Sequence, residues 1–303
     1  MTASIHLDAV AGGAGGSWYV LMEGLARLVA EFHPEIRIRV VEGGGVSNHA
    51  RVGAGEIPVG ILNPPMTAAA LAGRSPYDRA YPTLHVGLAN LTTNHLHCFV
   101  ERALPLESVA SWLERRQAVR MPVDRVGTAD RMVFQLTLEH FGVAEADVER
   151  WGGTLVPARS YDEQLALYTA GTANALWQFM GIPSPSIEAA NKLRALRPLP
   201  FPESLIAALG SLGWTAATLP SAAYGIVDHP VPTVAMGTSL GFHADVPDDV
   251  VYKIVRVVCE RAERVRRIHA AAAGFDPAAA PRLTSGPLHA GATRYFREAR
   301  FLT

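Results

Sequence analysis

Two glycine-rich runs hold the residues of this chain best suited to chemistry. Gly12-Gly13-Ala14-Gly15-Gly16-Ser17 follows an alternating stretch, Ser4 to Val10, and precedes helical spacing from Trp18 to Phe32. Glu42-Gly43-Gly44-Gly45-Val46-Ser47-Asn48 stands in the same way between a strand-like run, Ile36 to Val41, and a short helix ending near Gly53 to Gly55. A glycine-rich turn from strand into helix leaves backbone N–H groups unpaired at the positive end of the helix dipole, which suits an anion. Such a turn serves tight packing equally well. Two of them in consecutive units, opening at one sheet edge, favour binding.

Other chemistries lack their residues. Neither run is a phosphate loop, because no Gly-Lys-Ser/Thr follows, and Trp18 stands where a dinucleotide fingerprint needs its third glycine. There is no Gly-x-Ser-x-Gly elbow; Gly210-Ser211-Leu212-Gly213 has the wrong spacing. His95, His97 and Cys98 cluster, but a metal needs more ligands at compatible spacing, so core or strand-edge histidines are expected. The carboxylates form no catalytic pair, and no cofactor, metal or catalytic residue is expected. With 27 basic against 28 acidic side chains and a net charge of −1, the chain has no electrostatic footprint for nucleic acid or an anionic membrane. No run is apolar enough to span a bilayer. Cys98 and Cys259 lie inside apolar runs and read as buried thiols, although a disulfide between them stays open.

The elements that must position these loops follow an α/β order. At 303 residues, 49% hydrophobic and 18% charged, the chain is large enough for two lobes with well-filled cores. Strand, Gly loop, helix, Pro34 and strand make a βαβ unit, which favours a parallel sheet, and Val59 to Leu62 is a buried strand. A second such pattern is expected from a strand ending at Arg125-Val126-Gly127, a helix from Asp130 to Phe141, sheet at Thr154 to Val156, a helix from Tyr161 to Thr169, a strand from Ala175 to Phe179 and a helix from Ile187 to Leu193. Val231 to Phe242 is extended behind Pro230 and Pro232. Asp248 to Ala273 reads as one long amphipathic helix, and Gly286 to Arg300 as a turn and terminal helix. Trp18, Tyr19, Trp177 and Phe179 lie beside the loops; such residues are core by default, with Trp18 the best placed to face a cleft.

The run Gly12 to Tyr19 resembles the GGTGGTYY signature of the TAXI solute-binding proteins, the extracytoplasmic receptors of one branch of TRAP transporters. Glu42 to Asn48 with Gly53-Ala54-Gly55-Glu56 is similar to that family's TGGSVENL and SGE segment. Further along, Arg159 to Glu163, Phe179 to Pro185, Val231 to Ala235 and Pro287 to Ala292 resemble its later motifs in order. The resemblance implies a type II periplasmic-binding fold, with two α/β lobes joined by two hinge strands near Ala89 to His95 and Thr233 to Leu240. Lobe one would comprise residues 1–93 and 240–303, lobe two residues 94–239. It implies a receptor that closes on a small organic acid between the lobes and passes it to a TRAP membrane permease, with no membrane insertion of its own.

On that reading Gly15, Gly16, Ser17, Gly44, Gly45 and Ser47 offer donors from lobe one, Thr128 and Arg131 answer from lobe two, and Trp18 and Phe179 form apolar walls. Two departures matter. Gly127-Thr128-Ala129-Asp130-Arg131 is shorter than the family's Gly-Ser-Gly-Thr loop, and Asn63-Pro64-Pro65 replaces its Gln-Ser-Asp. The loss of those polar groups points to a carboxylate more apolar or aromatic than glutamate. Arg131 fits a bidentate carboxylate clamp as well as it fits a helix-surface arginine, and Asn63 either contacts the ligand or caps the Pro-Pro turn. The N-terminus lacks a secretory pattern, which leaves a periplasmic protein with a trimmed signal or a cytoplasmic one. An enzyme on the same fold, such as an aromatic-acid decarboxylase, and a cytosolic ligand sensor stand as rivals.

Overall fold

The computed structural model describes residues 4–14, 16–221, 223–226 and 228–303. The chain divides into two compact units, Met1–Thr93 with Met236–Thr303, and Asn94–Ala235. The first unit begins with β1 (Ile5–Val10), α1 (Ser17–Phe32), β2 (Ile36–Val41), α2 (Ser47–Gly53), β3 (Val59–Leu62), α3 (Pro64–Ala72) and β4 (Leu84–Leu88). β5 (Thr93–Glu101) leads into the second unit, followed by α4 (Val109–Glu114), β6 (Arg120–Val123), α5 (Ala129–His140), α6 (Glu145–Arg150) and β7 (Thr154–Pro157). Next come α7 (Tyr161–Thr169), β8 (Ala175–Met180), α8 (Pro185–Leu193), β9 (Leu196–Pro198), α9 (Glu203–Ser211) and β10 (Thr215–Leu219). β11 (Val231–Gly237) carries the chain back to β12 (Ser239–His243), α10 (Asp248–Glu260), α11 (Ala262–Arg266) and α12 (Ala290–Glu298).

In the first unit one sheet runs in the order β2-β1-β3-β12-β4. β2 and β3 lie parallel to β1 on either side, because each connection between them crosses over through a helix. β12, arriving from the second unit, is antiparallel to both β3 and β4. α1 buries Leu21, Met22, Leu25, Leu28 and Val29, the stripe that its sequence spacing sets, and ends at Phe32 ahead of Pro34. That stripe shares a core with Val251, Ile254 and Val258 of α10 and Phe296 of α12. α12 approaches α10 so closely that a Cβ on Gly291 would stand 2.1 Å from the Asp248 carbonyl oxygen, so only glycine fits there.

The single helix expected over Asp248–Ala273 is instead two. Arg261 leaves the helical region at φ −110°, ψ 28°, and α11 starts afresh beyond it. The break lets Val265 stay buried and Ile268 seat against Gly24 of α1, where a Cβ would meet Ile268 at 2.4 Å.

The second unit has a sheet in the order β10-β11-β5-β8, with β9 alongside β5, and a separate parallel pair, β6-β7. The strand expected to end at Arg125 to Gly127 stops at Val123, and Thr154–Pro157 pairs with β6 alone. Trp112, Phe134 and Trp177 fill this unit's interior; Phe134 and Trp177 meet edge-on at 5.4 Å between ring centres. Cys98 and Cys259 are free, buried thiols, one in each unit. Burial pushes the Cys259 thiol up to about 12 and raises that of Cys98 as well. Among the described residues no helix is long and apolar enough to cross a membrane.

Candidate functional site

Because β2, β1 and β3 are parallel neighbours, the three segments that leave their carboxyl ends meet at one edge of the first unit's sheet. These segments are Ala11–Ala14 with Gly16, Glu42–Val46 and Asn63. Asn48, fully buried at the start of α2, ties them together. Its Nδ2 donates to the carbonyls of Ala11 and Ile61, each at 2.8 Å, and its Oδ1 accepts from the Gly44 N–H at 2.8 Å. Gly43 N–H donates to the Gly12 carbonyl at 3.2 Å, which zips the two glycine loops to each other. Gly43 must be glycine: a Cβ there would lie 2.1 Å from Asn48 Oδ1 and 2.8 Å from the Ala11 carbonyl oxygen.

The helix N-termini at this edge differ in what they offer. α1 is 16 residues long, is preceded by Gly16 and has no side-chain cap and no acidic residue in its first turn. Its first-turn N–H groups, Ser17 and Trp18 among them, have no partner within the helix. α3 is closed: Pro64 and Pro65 carry no N–H, and Met66 N–H is taken by Asn63 Oδ1 at 3.1 Å. Asn63 therefore caps the Pro-Pro turn, while its Nδ2 braces the Gly45 carbonyl at 3.3 Å. α2 has only seven residues, and the Gly43 and Gly44 amides in front of it are consumed inside the loops. Ser47 turns its hydroxyl inward to the Gly44 carbonyl at 3.3 Å. Trp18 is half-buried and packs against the core behind α1. Gly15 lies outside the described residues.

Two residues of this site escaped sequence reasoning. Asn48 was legible only as the end of a glycine run. His49 beside it is fully buried, its Nε2 accepting from Asn63 N–H at 3.2 Å, and burial lowers its pKa to about 4, so it stays neutral. A polar pair at the first turn of a buried helix is the signal that could have flagged both.

In the second unit, the expected site residues are engaged in the fold. Thr128 caps α5 by accepting from Arg131 N–H at 3.2 Å. The Arg131 side chain, 13% exposed, donates through Nη2 to both carboxylate oxygens of Glu145 at 2.5 and 2.7 Å, and its guanidinium lies 5.9 Å from the Phe134 ring centre. A ligand carboxylate at Arg131 would have to displace Glu145. Phe179 is buried in β8.

Beside them Asp130 is a buried carboxyl. Its Oδ1 accepts from Phe179 N–H at 2.8 Å and lies 2.9 Å from the Tyr161 phenol, which is also 2.9 Å from the Phe179 carbonyl. Burial first, then the charge of Asp124, pushes the Asp130 pKa up to about 7. His97 in β5 is a core histidine, bonded to the Tyr224 hydroxyl at 2.6 Å, and burial lowers its pKa to about 4. Among the described residues no group of His, Cys, Asp and Glu could hold a metal.

Residues 10–299 match the NMT1-like family. The chain belongs to that family. No curated protein sequence matches it significantly. Among solved structures, this NMT1-like chain is similar to MatC from Rhodopseudomonas palustris with bound malate, at 12% identity and a TM-score of 0.57, covering 88% of this chain and 89% of that one. It is equally similar to R. palustris Rpa4515 with adipate, at 16% identity and a TM-score of 0.57, covering 97% and 92%. A third likeness, to a periplasmic transporter, has 11% identity and a TM-score of 0.54 over 99% and 93%. At these identities the likeness establishes the fold, that of the type II periplasmic-binding proteins.

Two predictions follow from the second unit's chemistry. Arg131→Ala should lower unfolding free energy by about 1–3 kcal/mol in urea titrations, since it strands a partly buried carboxylate. An unchanged melting temperature with a lost ligand affinity would instead mark Arg131 as the clamp. Asp130 binds its proton more tightly folded than unfolded, so its contribution to stability is present below the ordinary carboxyl value of 3.8 and is lost as pH rises to about 7. Between pH 5 and 8 the wild type should therefore lose roughly 2–3 kcal/mol that Asp130→Asn does not lose. Parallel stability–pH curves for the two proteins would refute the assignment.

Proposed function

We propose that the chain is a solute-binding receptor for a small organic acid, whose carboxylate is held at the amide-lined edge of the first unit. The observation that carries this is the uncapped N-terminus of α1, a long helix with free first-turn amides opening beside a second glycine loop. The anchoring donors on this reading are the amides of Ser17 and Trp18, with those of Gly45 and Ser47 alongside. Membership of the NMT1-like family agrees with it, as does a fold shared with MatC and Rpa4515, which carry malate and adipate.

The finer role we propose is that of an extracytoplasmic receptor of the TAXI branch, delivering its ligand to a TRAP permease. The ordered motifs from Gly12 to Ala292 support that role. We further propose a ligand more apolar than glutamate. Pro64 and Pro65 remove two N–H donors from the edge.

A thermal-shift and calorimetric screen over adipate, malate, benzoate and glutamate tests the reading. At least one of the first three should bind more tightly than glutamate, and at ~100-fold its Kd it should add ~2.7 kcal/mol of stability. Ser17→Asp places a fixed negative charge in the first turn of α1, where it stabilises the helix and repels an anion. Affinity for the best acid should fall about tenfold or more while the melting temperature holds or rises. Binding unchanged by Ser17→Asp would remove α1 from the site.

A further inference from the structure

Glu42 is the first residue after β2, and its carboxylate oxygen Oε1 accepts a hydrogen bond from the Ala14 N–H at 2.8 Å. The contact reaches from one glycine loop across to the other. Gly43 N–H on Gly12 O holds the loops in register at 3.2 Å, and Arg51 Nη1 fixes the Glu42 carbonyl at 3.1 Å, so the side chain starts from a pinned backbone. The carboxylate itself is exposed and, among the described residues, forms no salt bridge. Arg39, three residues before Glu42, is spent on Asp8 at 2.6 and 2.7 Å, and Arg51 spends its Nε on Glu56 at 2.9 Å. An exposed carboxylate free to remain hydrated thus sits on an amide of the loop that leads to the open end of α1.

We propose that Glu42 is a built-in competitor for the ligand's carboxylate, occupying the Ala14 amide in the ligand-free protein and yielding it when the ligand arrives. This rests on the receptor reading above and adds a specificity residue to it. The chemistry at the Ala14 amide is the same for either carboxylate, so binding exchanges one charge-assisted hydrogen bond for another. Once displaced, Glu42 still carries its negative charge a few ångströms away. At ~5 Å in a hydrated site that repulsion amounts to roughly a fourfold loss of affinity for each ligand charge close to it. Glu42 therefore weakens capture and discriminates against acids that bring a second charge to this end of the site.

The test uses the full chain and adipate, a six-carbon diacid, with hexanoate as its singly charged counterpart. Calorimetry compares wild type, Glu42→Gln and Glu42→Ala, and amide proton NMR follows Ala14. Glu42→Gln keeps an acceptor for Ala14 but removes the charge; it should bind hexanoate about fourfold tighter, and adipate, with its second charge, more than fourfold tighter. In Glu42→Ala the Ala14 amide proton should move upfield as its acceptor is lost, and saturating adipate should return it downfield. Equal or weaker adipate binding in both variants, with an Ala14 resonance indifferent to adipate, overturns the inference. Glu42 would then be a loop staple, and the receptor reading would stand. If adipate and hexanoate bind none of the three proteins, the inference falls, while the screen over the other acids decides the receptor reading separately.

Discussion

A single buried carboxamide organises the part of this protein on which any ligand chemistry depends. Asn48 donates to the last carbonyl before one glycine loop and to the third strand, and accepts from the second loop. Three chain segments that a parallel sheet merely brings to the same edge are thereby fixed in one arrangement. The constraint is strict because the partners are backbone groups without room to shift. A buried donor or acceptor left unpaired costs about 1–3 kcal/mol, and Asn48 satisfies three such groups at once. Gly43 is the counterpart of this bond, since any side chain there would occupy the space of the Asn48 oxygen.

With the loops so fixed, the remaining amides define what the edge can do. α3 is sealed by two prolines and an Asn cap, whereas α1 begins without any side-chain cap. The asymmetry leaves one strong N-terminus directed at one place. A patch of N–H donors suits a carboxylate held by hydrogen bonds and dipole. In the second unit the charges are used differently. Arg131 is neutralised by Glu145, and burial pushes the Asp130 carboxyl up to about 7, so its charge develops only as pH rises through neutrality.

Much of the first unit was legible in the sequence because its signals are local. Glycine runs between a period-2 and a period-3.6 segment specify strand, turn and helix, and Pro34 marks the end of α1. The type II periplasmic-binding fold expected from the ordered motifs is the fold found. Arg131 shows why the site was less legible. Its spacing at the start of a helix fits a clamp, but its partner Glu145 is 14 residues away across a turn that no periodicity announces. Likewise the helix break at Arg261 follows from how Ile268 seats on Gly24, a contact more than two hundred residues apart in sequence. Asn48 carries no sequence pattern of its own, because its role is set by three carbonyl and amide groups that converge only after the sheet has formed.

The central claim is that backbone amides at this edge hold the ligand. A residue-resolved amide NMR titration of the intact chain, with the tightest-binding carboxylic acid from the screen, tests it most directly. The account predicts saturable shifts concentrated at Ser17 and Trp18 and at Gly45 to Ser47, with the Asn48 side-chain amide held in place. Saturable shifts confined to the second unit, with those amides unmoved, would contradict it.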